Sequence, residues 1–143
     1  MIEQQTDTQA PAAPLTIRID PEALAARGRS LTLLLLQRRC ASCRDTLALE
    51  ATGGLQIPMK EHLERIAHHC SSAPDFVRPR LPLLEAIFRL LLAREDLSMT
   101  LDEAVQALRE RWASATSPRV PPPEEIERIV ASDTYYGLTA VSE

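Results

Sequence analysis

The feature that most restricts how this chain can fold is its placement of cysteine. Cys40 and Cys43 form a Cys-x-x-Cys pair, and the third and last cysteine, Cys70, directly follows His68-His69. Zinc takes four soft or borderline ligands at tetrahedral corners, with Zn–S about 2.3 Å and Zn–N about 2.0 Å. A Cys-x-x-Cys turn supplies two thiolates at that spacing, and Cys70 supplies a third. On a helix rising about 1.5 Å per residue, His62 lies roughly 12 Å along the axis from Cys70, too far to share one metal. His69 is about 100° round the helix from Cys70 and His68 about 200°. The expected ligands are Cys40, Cys43, Cys70 and His69, with His68 the alternative if the helix frays near Ser71. Four protein ligands leave no open position, so a bound Zn2+ is expected to be structural. The plainer reading of Cys70 is a core cysteine that completes an apolar stripe with Leu63, Ile66 and Ala67.

Three cysteines in 143 residues are an odd number, which suits a reducing compartment better than a secreted disulfide framework. The amino terminus is acidic and polar, without the basic start and apolar stretch of a signal peptide. No apolar run approaches the ~20 residues of a membrane-spanning helix. A cytoplasmic location without membrane attachment is expected. Aromatic side chains are limited to Phe76, Phe88, Trp112, Tyr135 and Tyr136, too few for a surface that stacks single-stranded bases.

The net charge of -4 is uneven: residues 1–80 carry 10 Lys/Arg against 9 Asp/Glu, and residues 81–143 carry 6 against 11. Within 27–44, Arg27, Arg29, Arg38, Arg39 and Arg44 occur with no acid, a candidate nucleic-acid contact surface. Solvated arginines flanking a turn are the competing reading. No Gly-rich phosphate loop, nucleophile elbow or HExxH motif is present, so no enzymatic activity is expected.

Residues 1–14 read as a disordered tail. Leu15 to Ile19 alternates as a strand, and Asp20-Pro21 with Gly28 brackets a short helix. Leu31 to Gln37 reads as a buried strand. Leu47 and Leu49 on one side of Gly53-Gly54, and Leu55 and Ile57 on the other, predict a β-hairpin. Pro58 opens a helix that runs to the Ser71–Pro74 stretch. From Pro82 the pattern is helix, helix, loop, helix, strand. Thr100 and Glu103 form a capping box, 114–123 is a linker or loop, and 135–141 is the strand.

Over 31–72, the order strand, knuckle, hairpin, helix resembles a treble-clef zinc finger, with Cys40 and Cys43 in the knuckle and His69 and Cys70 on the helix. Because that second pair sits in the helix's last turn, an unrelated zinc ribbon is the alternative. The runs LLEAIFRLLLARED, SMTLDEAVQALRERW, PPEEIERIVASD and TYYGL resemble winged helices of the family that includes the delta subunit of bacterial RNA polymerase. That resemblance implies a bacterial winged helix-turn-helix over 81–143, with Tyr135 and Tyr136 packing at the wing. Winged helices commonly place their third helix in the DNA major groove. Here that helix carries Glu124, Glu125 and Glu127 against Arg128, which suits a protein partner or self-association better than DNA. Finally, CASC resembles the active-site turn of thioredoxin-like proteins, in which the first thiol is activated at a helix start.

The expected fold is α+β: a zinc-binding β-hairpin and helix module over 15–80, packed on a winged helix over 81–143. The expected function is that of a non-enzymatic, zinc-stabilised regulatory or adaptor protein in transcription that binds a protein partner. The alternatives are a DNA-binding regulator using the Arg-rich 27–44 surface and a thiol redox protein using Cys40 and Cys43.

Overall fold

Alternation along Leu15-Thr-Ile-Arg-Ile19 produces a strand, β1 (Leu15–Ile19), that buries Ile17 and Ile19 and exposes Arg18. The computed structural model describes residues 15–113 and 120–142. The tail expected at 1–14 lies outside them, as does part of the expected 114–123 linker. Within them the chain is α+β, with seven α-helices and one three-stranded antiparallel sheet. β1 is the middle strand. It pairs on one side with β2 (Ser98–Thr100), with Ile17 opposite Met99, and on the other with β3 (Leu138–Ser142), with Ile19 opposite Leu138. These four side chains are all buried and form the sheet's inner face.

The first helix, α1 (Pro21–Ala26), starts where the Asp20 carboxylate accepts the Glu22 N–H at 3.0 Å, and Pro21 takes the first turn. The next two elements differ from expectation. Leu31 to Gln37 is a helix, α2 (Leu31–Gln37), not a strand. Ser30 caps it by accepting the Leu33 N–H, and Leu31, Leu34 and Leu35 are buried at helical spacing. Leucine prefers helix to strand, and the cap tips an ambiguous apolar run that way.

The expected hairpin is also replaced. Its first arm lies in and just beyond α3 (Ala41–Leu47), which buries Cys43 and Leu47 one turn apart, and residues 49–57 run through successive turns. Gly54, at φ +95°, serves close packing: a Cβ there would stand 2.9 Å from Leu36 Cδ2 and 3.1 Å from Leu47 Cδ2. After Pro58 comes α4 (Met59–His68), whose inner face carries His62 and Ile66, followed by a single 3₁₀ turn, Cys70–Ser72.

In the C-terminal part, α5 (Leu83–Leu92) is buried along most of its length. Thr100 then ends β2 and caps α6 (Leu101–Arg111) through the expected capping box: Glu103 N–H donates to Thr100 Oγ1 at 3.0 Å, and Thr100 N–H donates to Glu103 Oε1 at 2.9 Å. α7 (Pro123–Ala131) buries Ile126 and Val130. The approach to β3 is tied by Asp133, whose buried carboxylate accepts the N–H groups of Tyr135, Tyr136 and Leu138 at 3.0–3.2 Å. One continuous core runs from Ile17 and Leu35 through Ile66 and Cys70 to Phe88, Leu108 and Val130. Among the described residues no helix is long and apolar enough to cross a membrane.

Candidate metal centre

Cys40, in extended conformation, is the N-cap of α3, and Cys43 is on the helix's first turn. The chain returns to them at the end of α4, where the helix breaks at His69 and passes into the 3₁₀ turn that starts at Cys70. The ligand atoms of Cys40, Cys43 and His69 all lie within 4.8 Å of one another. Cys70 Sγ is 3.8 Å from Cys43 Sγ and accepts the backbone N–H of Cys40 at 3.2 Å. All three cysteines are free thiols.

These separations fit a metal. Two thiolates each about 2.3 Å from a tetrahedral centre stand about 3.8 Å apart, the observed Cys43–Cys70 spacing. A disulfide would need S–S near 2.05 Å. The N–H directed at Cys70 sulfur is the kind of contact that favours a thiolate. His69 joins the cluster although α4 stops one residue before it. His68, the alternative ligand, is exposed and pairs with Glu95. His62 is fully buried away from the cluster: its Nδ1 is 2.7 Å from Arg39 Nη1 and its Nε2 is 3.0 Å from the Gly54 carbonyl. A guanidinium has no acceptor, so Nδ1 accepts and the ring hydrogen is on Nε2.

The thiols are electrostatically unequal. Burial pushes the Cys70 thiol up to about 11. At Cys40 burial acts in the same direction but is outweighed by hydrogen bonding from Ser42 and the Cys43 backbone, which brings the thiol down to about 7. Beside them is Arg39, almost completely buried. Burial opposes its charge, but contact with the Cys43 and Cys70 sulfurs outweighs that and raises its pKa. Its Nε–H has no hydrogen-bond partner among the described residues. A buried, unpartnered donor beside two sulfurs needs a strong acceptor, and metal-bound thiolates are one.

The arginines of 27–44 are not gathered on one exposed surface. Arg27, Arg29 and Arg44 are exposed, and the Arg29 guanidinium lies 4.1 Å over the Tyr135 ring. Arg38 and Arg39 are buried. Arg38 grips Glu85, which also accepts from Arg89 Nε at 2.7 Å and Tyr136 OH at 2.9 Å. Sequence reading missed this network and the place of Arg39 beside the sulfurs. The adjacency of Arg39 to Cys40 was the one available signal.

Compared with protein-family models, curated proteins and solved structures, the chain matches none.

Proposed function

We propose that this chain is a non-enzymatic zinc protein, in which Cys40, Cys43, Cys70 and His69 hold one structural Zn2+ and the stapled fold binds a protein partner as a regulatory or adaptor module. The observation that carries the metal reading is the convergence of two separate segments, which brings Cys40, Cys43 and His69 within 4.8 Å of one another and sets Cys70 Sγ 3.8 Å from Cys43 Sγ. Four protein ligands complete the coordination sphere, so the metal would fasten the start of α3 to the end of α4 and would carry no reaction. The turns of 49–57 between them expose Leu49 (88%) and Leu55 (54%), apolar side chains suited to a protein contact.

The same reading gives the C-terminal part the role of a winged helix, supported by the order α5, β2, α6, α7, β3. Its third helix, α7, carries Glu124, Glu125 and Glu127 against Arg128, a charge balance that repels duplex DNA. Metal analysis of protein purified without chelator should find about one zinc per chain, falling to near zero in Cys43→Ser. Protein free of bound metal would sink the proposal. Partner capture that persists in Leu49→Ser/Leu55→Ser would remove the docking role, and binding of duplex DNA at low salt would replace it with the DNA reading.

One observation favours a second reading, a dithiol redox protein: Cys40 opens a helix with Cys43 one turn in. Zinc-free protein that cycles a Cys40–Cys43 disulfide in an insulin-reduction assay would select it.

A further inference from the structure

Cys40, His69 and Cys70 form part of the wall of a cleft of about 460 Å³. Five guanidiniums line it, those of Arg38, Arg39, Arg44, Arg78 and Arg89, and Asp75 is the one carboxylate among its described lining residues. Behind the wall, Glu85 is shared between Arg38 and Arg89, so one negative charge answers two positive ones. Arg44 and Arg78 are exposed, and neither has an ion pair among the described residues. Positive charge in this concave wall therefore exceeds what the protein itself neutralises, and a cleft focuses such a field.

We propose that this cleft is an anion-binding site that takes a small phosphate-bearing molecule. Planar guanidiniums match phosphate oxygens in bidentate pairs. Arg38 and Arg89 are held in place by Glu85, and the Phe76 carbonyl fixes Arg89 Nη1 at 3.1 Å. Arg38, whose Nη1 also donates to the Leu34 carbonyl and to Gln37, contributes charge to a rigid back wall. Arg89 keeps its Nη2 donors unused among the described residues, and Arg44 and Arg78 are exposed. The cleft volume lies in the small-molecule range of about 300–1,000 Å³. Its one aromatic, Phe76, is buried and covered by the Arg89 guanidinium at 5.4 Å, which leaves no ring face for a nucleobase. Recognition is therefore of the phosphate and not of a base. Cys40, His69 and Cys70, three of the proposed zinc ligands, line the same cleft, so a Zn2+ held by three thiolates would add one negative charge to its wall, fewer than the five guanidiniums bring.

Calorimetric titration of the full chain with pyrophosphate, at constant ionic strength, tests this, with bound zinc measured before and after. Saturable one-to-one binding is expected. The double variant Arg44→Ala/Arg78→Ala should weaken it by about tenfold or more, the worth of one charge-assisted hydrogen bond. Arg128→Ala, on α7, should leave it unchanged. Absence of binding, equal affinity in the double variant, or an equal loss in Arg128→Ala would each overturn the proposal. So would a single-stranded oligonucleotide that binds through Arg44 and Arg78 when pyrophosphate does not. Zinc content is read on the same samples, so failure of the metal site is seen separately.

Discussion

Arg38 and Glu85, 47 positions apart, are joined by two parallel hydrogen bonds, Nε to Oε2 at 3.0 Å and Nη2 to Oε1 at 2.7 Å. The pair is buried, and Tyr136 and Arg89 complete the carboxylate's partners. Three distant stretches, the end of α2, the first turn of α5 and the approach to β3, thus meet on one side chain.

Glu85→Gln should destabilise the protein by about 3–5 kcal/mol, because it leaves two guanidiniums facing a neutral amide. The pH dependence has a definite sign. Burial would raise the Glu85 carboxyl, but hydrogen bonds from Arg38 and Arg89 outweigh it and hold it at about 2. An unfolded glutamate titrates at about 4.3, so the pair's contribution is fully present above that value and is lost as pH falls toward 2. Thermal melts should show the wild-type advantage over Glu85→Gln shrinking between about pH 5 and pH 3. A gap that stays constant across that window would refute the assignment.

Asp133→Ala removes one acceptor from three backbone N–H groups at the entry to β3. A loss of about 2–3 kcal/mol is expected in urea denaturation. Asp133→Asn, which keeps one carbonyl acceptor, should lose less.

Gly137 and Gly28 have nearly the same φ, +74° and +73°, but different surroundings. A Cβ on Gly137 would lie 2.7 Å from Leu24 Cγ and 3.0 Å from the Asp20 carbonyl, whereas nothing lies within 4 Å at Gly28. Gly28→Ala should cost only the left-handed backbone penalty of about 1–2 kcal/mol. Gly137→Ala adds overpacking and should cost about 1–3 kcal/mol more in the same denaturation assay.

Arg39→Gln leaves all four proposed ligands in place but removes the buried positive charge beside Cys43 and Cys70. Zinc affinity, read by competition with a chromogenic chelator, should fall by about 10–100-fold, as for other groups that act on a metal through its ligands. Unchanged affinity would show that Arg39 serves only His62.

Much of this fold was legible where a polar cap or a proline announces a helix start. Asp20, Thr100 and Pro58 each mark the beginning found in the structure. Residues 31–57 were not legible from periodicity. The run Leu31 to Leu36 is as apolar as a buried strand, and only the Ser30 cap separates the two readings. Gly53-Gly54 resembles a hairpin turn in sequence, but at Gly54 its purpose is contact with Leu36 and Leu47, which belong to two different helices. The cysteine cluster followed from spacing, but the helix geometry that favoured His69 assumed a helix intact to residue 70, and His69 joins the cluster from beyond the end of α4. Arg38 and Arg39 could not be separated from surface arginines, because their partners Glu85 and His62 are distant in the chain.

The placement of β1 has a temporal consequence. A ribosome makes this strand before either neighbour, and both of its hydrogen-bonding edges stay open until Ser98–Thr100 and then Leu138–Ser142 appear. At about 5–20 residues per second, the second neighbour follows roughly 6–25 s later. Until then the edge of β1 that pairs with Leu138–Ser142 has no partner, so a nascent chain halted before residue 138 exposes an adhesive edge. Closure of the sheet therefore waits for Leu138–Ser142, and β1, made before both of its neighbours, is secured on both edges only then.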